Sequence, residues 1–342
     1  MPAITSKTIY DNLKAFGLTR AQVRKLLPEW WSAEAEQFPD GLAELCMLIS
    51  RRLSLDATAL LKGEVRRKGN AVSLAYKHSA SATVQSLQGA TSIALAVADA
   101  VAAAMHGTPV VLPTSPKALA KQARSEGAGI VSMESLIKTC WKNGIPIVPI
   151  PNLPVGIKKM DGAVIKVGDR PVILISKKKS SRAWLAFILA HELGHIGCGH
   201  LDDVGSIIDV SLQEQTTFET GVPADGHERE ADEYALEIFG GAVIDERVSS
   251  WSKWMSPVEL AVKARTAQGE LKVESGHLVL RYAFTTKRWP EAMTALNFLS
   301  EDAHPEAVMQ QYIAANLALD RIADDLRDMV LQVTGINTHA SH

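Results

Sequence analysis

His191 and His195 stand four positions apart, with Glu192 directly after the first, in the run Ala190-His191-Glu192-Leu193-Gly194-His195. Residues four apart share one face of a helix, so both imidazoles can converge on a single metal ion. Glu192, one position on, can reach a water at that ion and take its proton. Two histidines and a carboxylate base in this spacing are the parts of a zinc hydrolase site. Such a site needs a third ligand. Glu228-Arg229-Glu230-Ala231-Asp232 repeats the four-residue interval with acidic groups. Glu228 would complete a His₂Glu set and leave a fourth position for water. Asp232 would accept a hydrogen bond from the outer nitrogen of one histidine, foremost His191. Glu230, two residues past Glu228, faces elsewhere and is the alternative ligand.

A histidine six residues past the second ligand, after an intervening glycine, is a different way to complete such a site. Here those two positions hold Cys198 and Leu201, and His200 misses the register by one. In the chemistry the set implies, Glu192 accepts the proton of an attacking water and returns it to the leaving amine. The charge developing on the substrate oxygen calls for a further donor, and His227, Tyr234 and His200 are the candidates. Cys198 reads as a small buried residue rather than a ligand.

These groups need a helix with buried flanks and a sheet to hold it. Ser180 or Ser181 can cap the helix of His191 and His195, and Gly197-Cys198-Gly199 can stop it. Trp184, Leu185, Ile188 and Leu189 would bury that helix against a sheet. Upstream, Ala163 to Ser176 reads as a hairpin turning at Gly168-Asp169-Arg170, with Asp161-Gly162 as an earlier turn. The strand Gly162 to Val167 would offer an edge for pairing with an extended substrate. Ile145 to Ile150 is strand-like, and Pro146 and Pro149 restrict it to an edge. Met133 to Asn143 reads as a helix closed by Gly144. The run Lys177 to Lys179 reads as a solvated loop.

Residues 6 to 64 read as helical. Thr19 caps Arg20 to Leu27, Asp40 caps Gly41 to Leu53, and Asp56 opens a short helix ending near Leu61. The stretches around Leu18 to Val23 and Leu53 to Leu61 distantly resemble the outer helices of phage-repressor helix-turn-helix domains. Between them, Pro28 to Pro39 is short and carries Trp30-Trp31. DNA reading needs a recognition helix in the groove, and none is evident, so direct DNA binding is disfavoured. Ala71 to Tyr76 reads as a strand and Thr83 to His106 as a long helix. Gly107, Pro109, Pro113 and Ser115-Pro116 mark the best boundary, followed by a helix near Lys117 to Arg124. After the metal-site motifs, Ser256-Pro257 opens a helix to about Ala267. Trp289 to Leu299 and Pro305 to Met329 are further helices, and Thr334 to His342 is a loose tail.

The chain of 342 residues has a formal net charge of -2, which leaves no overall electrostatic footprint for nucleic acid. With 46% hydrophobic residues it holds material for two or three domains. The divisions read as 1-64, a degenerate helix-turn-helix-like region; 65-124, a helical connection; 125-250, the metal-site core; 251-333, C-terminal helices; and 334-342, the tail. Three widely spaced cysteines, Cys46, Cys140 and Cys198, argue for a reducing compartment. Met1 to Thr5 show no basic-then-apolar leader, so a cytoplasmic location is expected. The apolar stretch Ile93 to Met105 is shorter than the roughly 20 residues a bilayer span needs and reads as a buried helix. No membrane role is expected, and the sequence does not indicate an oligomeric state.

The hairpin segments D-G-A-V-I and P-V-I-L-I-S, then A-H-E-L-G-H, then E-R-E-A-D-E-Y-A, together resemble the ImmA/IrrE family of metallopeptidases. The last motif of that family, Glu-x-x-Ala-(Asp/Asn)-x-(Phe/Tyr)-Ala, is matched by Glu228, Ala231, Asp232, Tyr234 and Ala235. Val273 to Arg281 is similar to a later family stretch, where a helix follows a small-residue cap. The resemblance covers roughly residues 125 to 285. Where the family often continues in a Leu-Leu-Met-Pro-like run, this chain has Leu236 to Gly241, and His200 to Gly226 is long enough to be an insertion beside the cleft. The resemblance implies an α+β protein: a helical N-terminal region, a zincin-like core with a small sheet on the H-E-x-x-H helix, and C-terminal helices. It implies a zinc endopeptidase that cuts a helix-turn-helix repressor, releasing a stress, mobile-element or phage-defence programme. A non-proteolytic module that sequesters a repressor is the alternative, as is a DNA-binding regulator.

Overall fold

The computed structural model describes residues 4–68, 74–77, 84–176, 181–203, 205–209, 226–299 and 305–336. It is an α+β protein in which one mixed sheet lies among helices. The N-terminal part comprises α1 (Ser6–Ala15), α2 (Arg20–Leu26), α3 (Pro39–Arg52) and α4 (Ala57–Leu61). Thr19 and Gln22 form a reciprocal capping box that starts α2. Pro39 occupies the first turn of α3, and Phe38 is its cap residue. Asp40 therefore lies inside that turn, where its charge suits the helix dipole, rather than at the expected cap. Between α2 and α3 the described chain holds only a 3-10 turn, Ala35–Gln37, so this interval contributes no recognition helix. Trp30 is exposed there, edge-on to Trp31.

Among the described residues the sheet has five strands: β1 (Leu74–Lys77), β2 (Ile147–Pro149), β3 (Gly162–Val167), β4 (Arg170–Ile175) and β5 (Ser206–Asp209), in the order β1-β5-β3-β4-β2. β3 and β4 form the expected hairpin, with Val167 opposite Arg170 across the turn at Gly168. β3 also pairs antiparallel with β5, from Gly162 opposite Asp209 to Ile165 opposite Ser206. β1 joins β5 in parallel and β2 joins β4 in parallel, which makes those two the edges. β3 is thus an inner strand. The pairing edge expected at Gly162 to Val167 is already taken, because β5 arises from the region read as an insertion. Of the strand expected at 71–76, residues 71–73 lie outside the described residues.

Two helices cover the sheet. α5 (Val84–Ala104) and α8 (Arg182–Gly197) both pack on β3 and β4. Residues 163–165 and 172–175 are buried without alternation, as strands covered on both faces must be. Within α5, Ser86–Ala104 is the one candidate among the described residues long and apolar enough to cross a membrane, and 78% of that window is buried inside the protein. The apolar segment is longer than the sequence stretch suggested; its burial, not its length, marks it as an interior helix.

α6 (Pro116–Glu126) and α7 (Met133–Lys142) link these layers, each started by a serine cap, Ser115 and Ser132. After a short α9 (His200–Asp203) and β5 come α10 (Gly226–Ile238), α11 (Gly241–Ser249), α12 (Pro257–Leu271), α13 (Ser275–Thr286) and α14 (Trp289–Leu299). Ser256 and Glu259 form a capping box with Pro257 at the first position, as their spacing predicts. The single helix expected over 305–329 is two, α15 (Ala307–Asn316) and α16 (Asp324–Thr334). Asn316 turns its amide back onto the carbonyl of Tyr312 at 2.8 Å, and Leu317 is extended and buried, which ends α15. Thr334 and Ile336 are buried, so the chain is packed to the end of the described residues; 337–342 lie outside them. Arg52, 1% exposed, donates to the carbonyls of Leu26 and Asp325 and to Asp328 Oδ1, fastening α3 to the last helix.

Candidate metal centre

α8 is apolar around its whole circumference, and every residue from Ala183 to His195 is buried. Ser181 caps it by accepting from the Trp184 amide. The sheet takes one side, and α7, α10 and α13 take the others. Trp184 stacks with Phe284 at 6.4 Å and meets Trp289 edge-on, so it packs toward the C-terminal helices rather than the sheet expected for it. On such a helix a polar residue is costly unless it is satisfied. His191, Glu192 and His195 are all fully buried.

α10 crosses α8 at very close range. A Cβ on Gly194 would lie 2.8 Å from the backbone of Ala231, and one on Gly197 would lie 2.6 Å from the Tyr234 ring. Glycine at these two places lets the helices touch. That contact brings Glu228, one turn before Ala231, up to the two histidines. His191 Nε2 and His195 Nε2 are 3.2 Å apart. Glu228 Oε2 lies 3.6 Å from the first, and its Oε1 lies 3.4 Å from the second. Zinc bonds of about 2.0 to 2.2 Å in a tetrahedron set ligand atoms about 3.3 to 3.6 Å apart, close to this triangle. His191, His195 and Glu228 thus form a group able to hold a metal ion.

The donor chemistry also fits. His191 Nδ1 is 2.9 Å from Asp232 Oδ1. A carboxylate accepts, so the imidazole proton sits on Nδ1 and Nε2 presents a lone pair inward. Glu228 Oε1 is buried and accepts no hydrogen bond from a described residue. Lone pairs gathered in a buried space are repulsive until a cation sits among them.

The Glu192 carboxylate lies over the start of β3. A Cβ on Gly162 would stand 1.9 Å from Glu192 Oε1, so only glycine fits beneath it. The sequence placed Gly162 at a turn and at the start of a substrate-pairing strand, not beneath Glu192. The neighbouring Asp-Gly pair was the available signal, but the contact depends on how strand and helix meet.

Behind His195 lies a second group. His195 Nδ1 is 2.9 Å from His200 Nδ1, and His200 Nε2 is 2.9 Å from Glu230 Oε2. His227 stacks on His200 with ring centroids 4.2 Å apart and 12° between planes. Burial, first of all, lowers the His200 pKa, with Glu230 opposing and the imidazoles of His195 and His227 adding to it. His200 holds the Glu230 carboxyl below its usual range. His200 is buried, whereas Cys198, read as buried, is exposed. Cys198, His200 and Glu230 themselves bring ligand atoms within 4.8 Å of one another. The 2.9 Å between His200 and Glu230 is hydrogen-bond spacing.

Of the three oxyanion candidates, Tyr234 is committed elsewhere: its hydroxyl donates to the Pro113 carbonyl at 2.9 Å and its ring covers Gly197. Burial raises its pKa. His200 and His227 stand behind His195. Glu230, the alternative ligand, is not in the triangle; its carboxylate engages His200.

No family model matches this chain, and neither does any curated protein sequence.

Proposed function

We propose that this chain is a zinc-dependent endopeptidase with a zincin-like core, of the ImmA/IrrE kind, acting on a protein substrate. The observation that carries the proposal is the triangle of His191, His195 and Glu228 atoms with the Glu192 carboxylate on the same buried helix. Zinc held by those three residues would supply a Lewis acid that brings a water's pKa to about 7 and polarises the scissile carbonyl. Glu192 accepts the proton of the attacking water on its carboxylate and delivers it to the leaving amine nitrogen. Its burial excludes competing solvent, and Gly162 leaves it room to turn between the two tasks. Asp232 holds the His191 proton on Nδ1 throughout. A module that merely bound a partner would have no use for Glu192 in this position.

The motif resemblance makes a helix-turn-helix repressor the substrate class, with a stress, mobile-element or phage-defence programme as the output. The test is incubation of zinc-loaded protein with purified helix-turn-helix repressors, with fragments read by mass spectrometry. Wild type yields two fragments, and Glu192→Gln retains one zinc per chain but yields none. Equal release of the repressor from DNA by both proteins, without fragments, would replace proteolysis with sequestration.

A further inference from the structure

We infer that His200, backed by Glu230, positions the ligand histidine His195 and fixes its tautomer, as Asp232 does for His191. The inference rests on the reading of His191, His195 and Glu228 as a metal site. It does not depend on what that site catalyses.

The two Nδ1 atoms face each other at 2.9 Å, so one must carry a proton and the other must not. If His195 offers the lone pair of Nε2 to a metal, its one proton is on Nδ1. His200 Nδ1 is then the acceptor, and the His200 proton must be on Nε2. There it meets Glu230 Oε2 at 2.9 Å, an acceptor. Each link determines the next, and the chain has one consistent arrangement: carboxylate, imidazole, ligand imidazole.

The backbone is shaped for this return. α8 ends at Gly197, and Gly199 adopts φ +78°, a left-handed turn that glycine takes without strain. The turn starts α9 at His200 and folds its ring back under His195. His227, stacked on the same ring, restricts its rotation. The two ligand histidines are therefore supported unequally. His191 has a carboxylate in direct contact, whereas His195 reaches one only through a second ring, and that Glu230 side chain is 54% exposed.

The test is zinc affinity by competition with a chromophoric chelator, alongside the visible spectrum of the cobalt-substituted protein. Melting of the chelator-treated protein checks the fold. His200→Phe keeps a ring to stack on His227 but accepts no hydrogen bond; its zinc affinity falls about 10- to 100-fold. His200→Asn offers an acceptor oxygen near the Nδ1 position and recovers most of that loss. Glu230→Ala, changed at a solvent-facing side chain, keeps the fold and weakens zinc about threefold to tenfold. The cobalt bands shift in the Phe variant and return in the Asn variant. Wild type that takes up no zinc refutes the metal site itself. Wild type that binds zinc no better than His200→Phe, or equal losses in the Phe and Asn variants, overturns the positioning role. An unchanged affinity in Glu230→Ala overturns its outer link.

Discussion

Gly162 is occupied by a carboxylate where its side chain would be. The Glu192 carboxylate is the mobile end of a side chain, so a methyl group at 162 displaces it without breaking β3. Gly162→Ala is therefore expected to keep one zinc per chain and lose peptide-bond hydrolysis by at least about a hundredfold, the contribution typical of a positioned general base. Zinc stoichiometry and single-turnover rates measure the two separately, and an active alanine variant would show that Glu192 does not work from this position. At this scale the sequence was unevenly informative. His191 with His195 and Glu228 with Asp232 could be named because four-residue spacing projects each pair onto one helical face, and Glu192 because it directly follows the first histidine in the motif. Gly162 and the inner role of His200 could not. One depends on where along α8 a strand begins, and the other on a left-handed turn at Gly199 that redirects the chain.

Between elements, the decisive contact is α8 against α10. A glycine-to-alanine change in an ordinary helix interior gains about 1 kcal/mol from propensity. Gly194→Ala should instead lose stability, by about 1 to 3 kcal/mol, because the new methyl meets the backbone of Ala231 and the two helices must separate. Separation withdraws Glu228 from the histidines, so zinc affinity falls with it. Urea denaturation with and without chelator reads both effects, and a stabilised variant would show that the helices are not in the contact described. The small residues of the two motifs are thus explained by packing: Gly194 and Ala231 set the distance at which His191, His195 and Glu228 meet. Helix starts were legible where a side chain closes its own cap, at Thr19, Ser181 and Ser256. The long C-terminal helix was not legible as two, because its break depends on Leu317 finding a buried site.

For the molecule as a whole, pH provides a probe remote from the ligands. His277 on α13 is buried and stacks on Phe239 at 3.6 Å. Burial pushes its pKa down to about 3, and the Arg281 cation, itself paired with Asp245, adds to the effect. In the unfolded chain the same imidazole takes up its proton near about 6.5. Between those values the unfolded state binds more protons than the folded one. This group's share of stability is intact above about pH 6.5 and declines as the pH falls, by up to about 1.4 kcal/mol per unit. His277→Phe should flatten the fall in unfolding free energy between pH 6.5 and 4.5 by about one proton. An unchanged slope would mean that His277 is protonated in the fold. The α+β class was an expectation carried by the motif resemblance, and the β3–β4 hairpin was readable from local pattern. The sheet order was not: β1 and β5 pair across some 130 positions, from Leu74 opposite Ser206 onward, and no local signal encodes such a partner.

The enclosure of α8 also bears on exchange. A helix with neighbours on every side has no shallow local opening, so its amide hydrogens are released to solvent only when a large cooperative unit comes apart. His191 and His195 share that constraint. Glu228 does not, because the first turn of α10 borders solvent. An ion would enter and leave by the carboxylate side, at rates set by a side chain, while the histidine side turns over on the timescale of unfolding.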